Sequence, residues 1–196
     1  MEKQQLIVLE GIPGGGKTSI FTELQNRMPW SFNFIPEIIV SFNPLEDYDV
    51  EMVLENDRQK YKIAAKSNLP VIMDRSYVSS INWDYVLMKQ KKRNNFKKKF
   101  SSLSALKLNG DIRPADYYLF FNISPRISIE RKKLPKRSGL AWSTESSLTI
   151  AITYYFEYFR EIEPKSKLLT IDASQNSNIV FFHTVSLLEK ILKGTI

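Results

Sequence analysis

The sequence has no cysteine and a single histidine, and each scarcity removes a class of chemistry. Without cysteine there is no disulfide framework, no thiolate metal site and no thiol nucleophile. His183 lies in NIVFFHTVSLLEKIL, where it reads as a structural helix position, so no metal-ligand cluster is expected. Long hydrophobic runs are also missing: none approaches the roughly 20 apolar residues of a membrane-spanning helix. The N-terminal MEKQQLIVLEG enters a short apolar segment, too short for a signal-peptide core and with no cleavage pattern after it. The expectation is a cytoplasmic protein with no membrane partner.

What is present is an ordinary globular balance. The 196 residues are 43% hydrophobic and 25% charged, which suits one domain over 1–196 with a single well-filled core. Lys and Arg outnumber Asp and Glu by 28 to 21, a formal charge of +7 that favours anionic partners without naming one. Much of the excess sits in KQKKRNNFKKKF, residues 89–100, which reads either as a solvated helical face or as a basic patch for nucleic acid. The solvated face is the simpler reading, and 89–110 is polar enough to be a surface insertion.

Five short, β-prone apolar segments punctuate the chain: Leu6 to Leu9, Phe34 to Val40, Pro70 to Met73, Tyr117 to Asn122 and Leu168 to Ile171. Helical patterns separate them, such as Ile20, Phe21, Leu24 and Met28 on one face and Val50, Val53, Leu54, Tyr61 and Ala64 on another. Nearly continuous apolar strands alternating with helices predict a parallel sheet covered on both sides. The expected fold is therefore three-layer α/β/α.

Between the first strand and the first helix, LEGIPGGGKTS matches G-x-x-x-x-G-K-[ST] from Gly11 to Thr18. Gly11, Gly14, Gly15 and Gly16 allow the backbone close to phosphate oxygens, and the helix N-terminus adds partial positive charge. Lys17 is expected on the β- and γ-phosphates of a nucleoside triphosphate and Thr18 on Mg²⁺. Pro13 and Ser19 complete the donor-binding loop. Such a loop serves many reactions and does not by itself fix the fate of the bound triphosphate. No Asn-Lys-x-Asp segment reads guanine, and no strand ends in Asp-Glu to polarise a hydrolytic water. Instead VIMDRS ends its strand in Asp74, placed to order the Mg²⁺ shell, and Arg75 comes next, suited to clamping an acceptor.

Together these segments resemble thymidylate kinase and, more broadly, the nucleoside and nucleotide kinases of the P-loop superfamily. The residues that carry the resemblance are LEGIPGGGKTS, NDRQKY with Arg58, VIMDRSYVSSINW, ADYYLFFNISPRISIERKKLPKR and IDASQ. The resemblance implies a five-stranded sheet in the order 2-3-1-4-5, ATP as donor, and a basic lid over about 131–143. It further implies Arg58 and Arg75 as acceptor-binding, and dimers are common in that family, so a homodimer is an implied partner arrangement. Within RKKLPKRSG, Arg131 and Arg137 are the expected lid cations, because a planar fork grips phosphate oxygens in pairs. Two departures concern the acceptor. Pro13 stands where thymidylate kinases usually carry an acid, and Pro36 precedes Glu37 where they carry Glu-Pro-Gly-Gly. Deoxynucleoside kinases lack the acidic loop residue too and use a Glu after the second strand as base, a role Glu37 could fill.

A nucleoside hydroxyl needs a carboxylate to take its proton, whereas a monophosphate needs extra cations, so both acceptors stay open. Glu37 reads equally as a capping or ion-pairing residue. Phe42, Tyr48, Tyr61, Tyr77 and Trp83 are candidates to sandwich a base, though core positions are the commoner fate of such aromatics. The expected function is transfer of the ATP γ-phosphoryl group to a nucleoside or nucleoside monophosphate. The alternatives are a kinase of a non-nucleotide small molecule and a nucleotide-binding regulatory or nucleic-acid-associated protein.

Overall fold

A computed structural model describes residues 4–41, 49–92, 94–132 and 142–196. Strand β1 (Leu6–Glu10) is buried along its whole length, as an apolar strand in the middle of a covered sheet must be. Around it the sheet runs β2 (Asn33–Ile35), β3 (Val71–Asp74), β1, β4 (Tyr117–Asn122) and β5 (Lys167–Asp172), every neighbouring pair parallel. This is the expected order 2-3-1-4-5.

Among the described residues the helices are α1 (Lys17–Arg27), α2 (Val50–Ala65), α3 (Tyr77–Lys89), α4 (Phe96–Leu108), α5 (Pro125–Lys132), α6 (Glu145–Glu161) and α7 (Ser177–Leu192). Side chains alternate across the strands and feed two cores. Ile7, Leu9, Leu119 and Phe121 meet Ile20 and Leu24 of α1 and Val180 and Leu188 of α7. Leu6, Val8, Met73 and Phe120 meet Leu54 of α2, Ile81 of α3 and Leu103 of α4. Helix α6 contributes to both, with Leu148 and Ala151 on the first and Tyr155 and Phe159 on the second. Start signals are local: Asp49 accepts from Glu51 N and Ser76 from Val78 N, and Thr144 with Ser147 forms a capping box on α6.

Two sequence expectations change. The second strand, expected to run to Val40, stops at Ile35. Pro36 has no N–H to donate to a ladder, and the Ile39 and Val40 amides instead donate to the side chain of Asn56. The stretch 89–110, expected as a polar insertion, contains α4, which packs Leu103 into the core and Phe96 against Tyr85 and Tyr154. Lys99 in its basic run is fully buried and ion-paired with buried Asp84 at 2.6 Å, so the run is not a uniformly solvated face. No helix among the described residues is long and apolar enough to cross a membrane.

Candidate active site

The carboxyl ends of β1 and β3 meet at the centre of the sheet edge, and the loops that leave them carry the candidate chemistry. Gly11 has φ +132°, and a Cβ there would lie 2.6 Å from the carbonyl oxygen of Phe121. The loop can pass over β4 only as glycine. Gly16, at φ +82°, delivers the chain into α1. Ser128 Oγ on α5 donates to Pro13 O at 2.6 Å and fixes the outer wall of the loop. Lys17 is buried, and its ammonium folds back to donate to Gly11 O and Ile12 O, each at 2.9 Å. Burial and then the charge of Arg75 lower its pKa to about 7. A phosphate would replace those carbonyls with charged acceptors, a stronger pairing for the same ammonium. Thr18 and Ser19 are exposed at the first turn of α1.

Thr18 Oγ1 donates to Asp74 Oδ2 at 2.8 Å. The other oxygen, Asp74 Oδ1, is buried with no hydrogen-bond partner. A hydroxyl beside a carboxylate with an unused buried oxygen is a donor set that fits Mg²⁺, a hard cation that takes oxygen ligands. The structure brings Thr18 and Asp74 together.

Arg75 is held in a left-handed backbone conformation, φ +59°, uncommon for a side chain of this size and costing about 1–3 kcal/mol. Its guanidinium donates through Nη1 to Gly11 O at 3.1 Å and to Ser79 Oγ at 3.0 Å, and lies 5.2 Å from the ring centre of Trp142. Its Nε is 3.0 Å from Glu37 Oε1, an ion pair whose alignment falls short of a hydrogen bond. Burial pushes the Glu37 carboxyl up, but Arg75, Lys17 and Lys60 outweigh it and hold the pKa below the ordinary value. Glu37 is therefore an anion at neutral pH, with its side chain 48% exposed toward the cavity mouth.

Two residues that sequence reasoning passed over hold this turn. Lys60 is 1% exposed, and its ammonium donates to Asp74 O and Arg75 O, each at 2.7 Å, and to Glu37 O at 3.4 Å. One cation thereby fixes the backbone of three candidate site residues. Glu10, also fully buried, accepts at Oε1 from Ser76 N and Ser76 Oγ and at Oε2 from Ser79 Oγ and Tyr155 OH. Both carried a signal: Lys60 is seven residues after Val53 on the inward face of α2, and Glu10 is a charge at the end of an apolar strand.

Beside Arg75 opens a cavity of about 240 Å³. Its walls are Trp83 and Trp142, packed edge to face at 5.2 Å, with Ile38 and Val53; its polar rim includes Glu37, Asn56, Asp57, Ser80 and Lys132. Asn56 is spent on backbone, accepting from Ile39 N and Val40 N and donating to Glu37 O at 3.0 Å. Asp57 accepts from Ser80 Oγ at 3.0 Å, and burial pushes its carboxyl up to about 6. Of the candidate aromatics, Trp83 lines the cavity, Tyr61 and Tyr77 pack in the core, and Phe42 and Tyr48 lie outside the described residues.

The expected cations separate. Arg58 pairs with Glu55 at 3.1 Å on the outer side of α2 and does not line the cavity; Asp57 and Lys60, on the inward face, do. Arg131 donates to Ala173 O at 2.6 Å and Ser174 O at 3.0 Å, tying the end of α5 to the IDASQ loop, with Gly14 O at 3.4 Å. Arg137 lies outside the described residues, as do positions 133–141 of the lid expected over about 131–143.

No family model matches the chain, and no curated protein matches it. Solved structures do. A structure of deoxyadenosine kinase from M. mycoides with bound dATP superposes with a TM-score of 0.72 at 15% identity, covering 94% of this chain and 100% of that one. The same kinase with dCMP and dCDP gives 0.69 at 15% identity, covering 95% and 100%. Its complex with dCTP gives 0.62, again at 15% identity with 95% and 100% covered. The chain shares the fold of these structures, a parallel five-stranded sheet in the order 2-3-1-4-5 covered by helices.

Proposed function

We propose that this protein is a kinase that transfers the γ-phosphoryl group of ATP to a hydroxyl of a nucleoside. The observation that carries the reading is Glu37, an ionised carboxylate at the mouth of an aromatic-walled cavity, ion-paired to Arg75 beside the phosphate loop. A sugar hydroxyl must lose its proton as its oxygen bonds to phosphorus, and a positioned carboxylate takes that proton while ADP departs with the electrons of the broken P–O bond. A monophosphate acceptor carries no such proton and would be repelled by Glu37. Arg75, over Trp142 and against Gly11, sits where it can orient the sugar and its reacting oxygen. Thr18 and Asp74 would hold Mg²⁺, which supplies neutralisation of the donor phosphate charge. Lys17, released from its loop carbonyls, would bind the β- and γ-phosphates, and Arg131 and Arg137 would border the donor from the lid side.

The structural neighbours were solved with deoxynucleotides, dATP, dCMP, dCDP and dCTP, which is consistent with this acceptor class. The reading as a nucleic-acid-associated protein weakens, since Lys99 is consumed in the core and Lys98 pairs with Glu51 at 3.3 Å. The test is ADP release from Mg·ATP against a panel of nucleosides and nucleoside monophosphates. Stimulation by nucleosides is expected, with Glu37→Gln lowering kcat by about 10² or more. Stimulation by monophosphates alone would retire Glu37 as base, and no stimulation by either would point to a non-nucleotide acceptor.

A further inference from the structure

The cavity contains more polar groups than it leaves free. Lys60 is saturated by backbone partners, Asn56 is held by backbone through its oxygen and one amide N–H, and Ser76 and Ser79 are held by Glu10. Ser80 Oγ donates to Asp57 Oδ2 and also approaches Tyr77 O at 2.9 Å. Among the described residues that hydroxyl is the one hydrogen-bond donor to Asp57, so Oδ1 remains uncommitted on a residue only 4% exposed that lines the cavity. The nearby cations do not claim it by hydrogen bonding: Lys60 points to the Asp74–Arg75 turn and Lys99 to Asp84 and Ser80 O.

We infer that Asp57 is a specificity-determining residue that selects acceptors whose flat ring carries an exocyclic amino group, and rejects those with a carbonyl in its place. The inference rests on the reading of this cavity as the nucleoside site. Trp83 and Trp142 supply aromatic surfaces suited to a heterocycle, and Ser80 fixes the carboxyl so that one oxygen serves the occupant. An amino group donates to that oxygen. A carbonyl sets lone pairs against lone pairs and leaves both groups buried without a partner, the situation in which a site discriminates most strongly.

The test uses acceptors matched in ring skeleton and sugar that exchange the amino group for a carbonyl, the adjacent ring nitrogen gaining a proton in the oxo member: deoxycytidine against deoxyuridine, and deoxyadenosine against deoxyinosine. Wild type is expected to favour the amino member of each pair by about ten- to a hundredfold in kcat/KM. Asp57→Asn, which adds a donor at the same place, is expected to bring both ratios to within about threefold, chiefly by improving the oxo members. Binding measured through the fluorescence of Trp83 and Trp142 should give the same order without turnover. If Asp57→Asn does not fold, Ser80→Ala replaces it and is expected to lower the ratios by freeing the carboxyl to rotate. Wild-type ratios near one, or amino preference unchanged in the variant, would overturn the inference while leaving nucleoside phosphorylation standing. Failure of every nucleoside to stimulate ADP release would instead overturn the functional reading on which it rests.

Discussion

Replacing Asp57 by Asn tests whether the cavity keeps a group that costs stability. Burial raises this carboxyl to about 6 from an ordinary 3.8, against the opposing charges of Lys60 and Lys99 and the Ser80 hydrogen bond, with Glu10 adding to the rise. A gap of about two units corresponds to about 3 kcal/mol between charged and neutral forms. Because the folded-state pKa is the higher one, the native protein holds the proton longer, and stability falls as pH rises from about 4 to about 6, then levels off. Asn is close in shape and never ionises. The variant should match wild type near pH 4 and exceed it by about 2–3 kcal/mol at pH 7.5, roughly 5–10 °C in Tm for a chain of 196 residues. Denaturant unfolding at both pH values measures this directly. A variant less stable at pH 7.5, or a difference that does not change with pH, would refute the reasoning. A gain in stability joined to a loss of acceptor selectivity is the pattern of a residue kept for function.

Lys17→Ala should abolish ATP-dependent phosphoryl transfer with circular dichroism unchanged; turnover near wild type would sink the donor-site assignment. Gly11→Ala combines φ +132° with a Cβ placed 2.6 Å from a backbone oxygen, so a loss on the order of 3 kcal/mol is expected in thermal melts. Within one basic run, Lys99→Ala should cost about 3–5 kcal/mol by breaking its buried pair with Asp84. Its exposed neighbour in Lys98→Ala should change stability by no more than about 0.5 kcal/mol, and equal effects at the two positions would contradict the burial assigned to Lys99.

The alternation of apolar strands with helices, and the glycine-lysine loop between the first pair, were enough to specify the sheet and the tight loop at its carboxyl edge. Both are local: the pattern of Leu6 to Leu9 and the spacing from Gly11 to Thr18 fix their own backbone wherever they occur. The place of the Asp74–Arg75 pair was likewise legible, because residues that end a covered parallel strand lie at the carboxyl edge of the sheet.

What the linear pattern left undecided was the acceptor side, where contacts join distant segments. Arg58 was implied by the resemblance of NDRQKY, yet helix α2 turns it outward to Glu55 and presents Asp57 and Lys60 to the cavity instead. That outcome reflects 100° per residue around a helix whose inward face is set by Val53 and Tyr61. Similarly, KQKKRNNFKKKF reads as surface until tertiary packing places Lys99 against Asp84. The sequence by itself determined the parallel sheet and the loop that can cradle a triphosphate, since both depend on short-range periodicity and backbone freedom. Only the tertiary structure decided that Glu37 meets Arg75, that Lys60 fastens their backbones together, and that Asp57 is left with an oxygen to offer. Those pairings depend on which faces of α2 and α3 pack against the sheet, and burial, not charge, chose among the candidates.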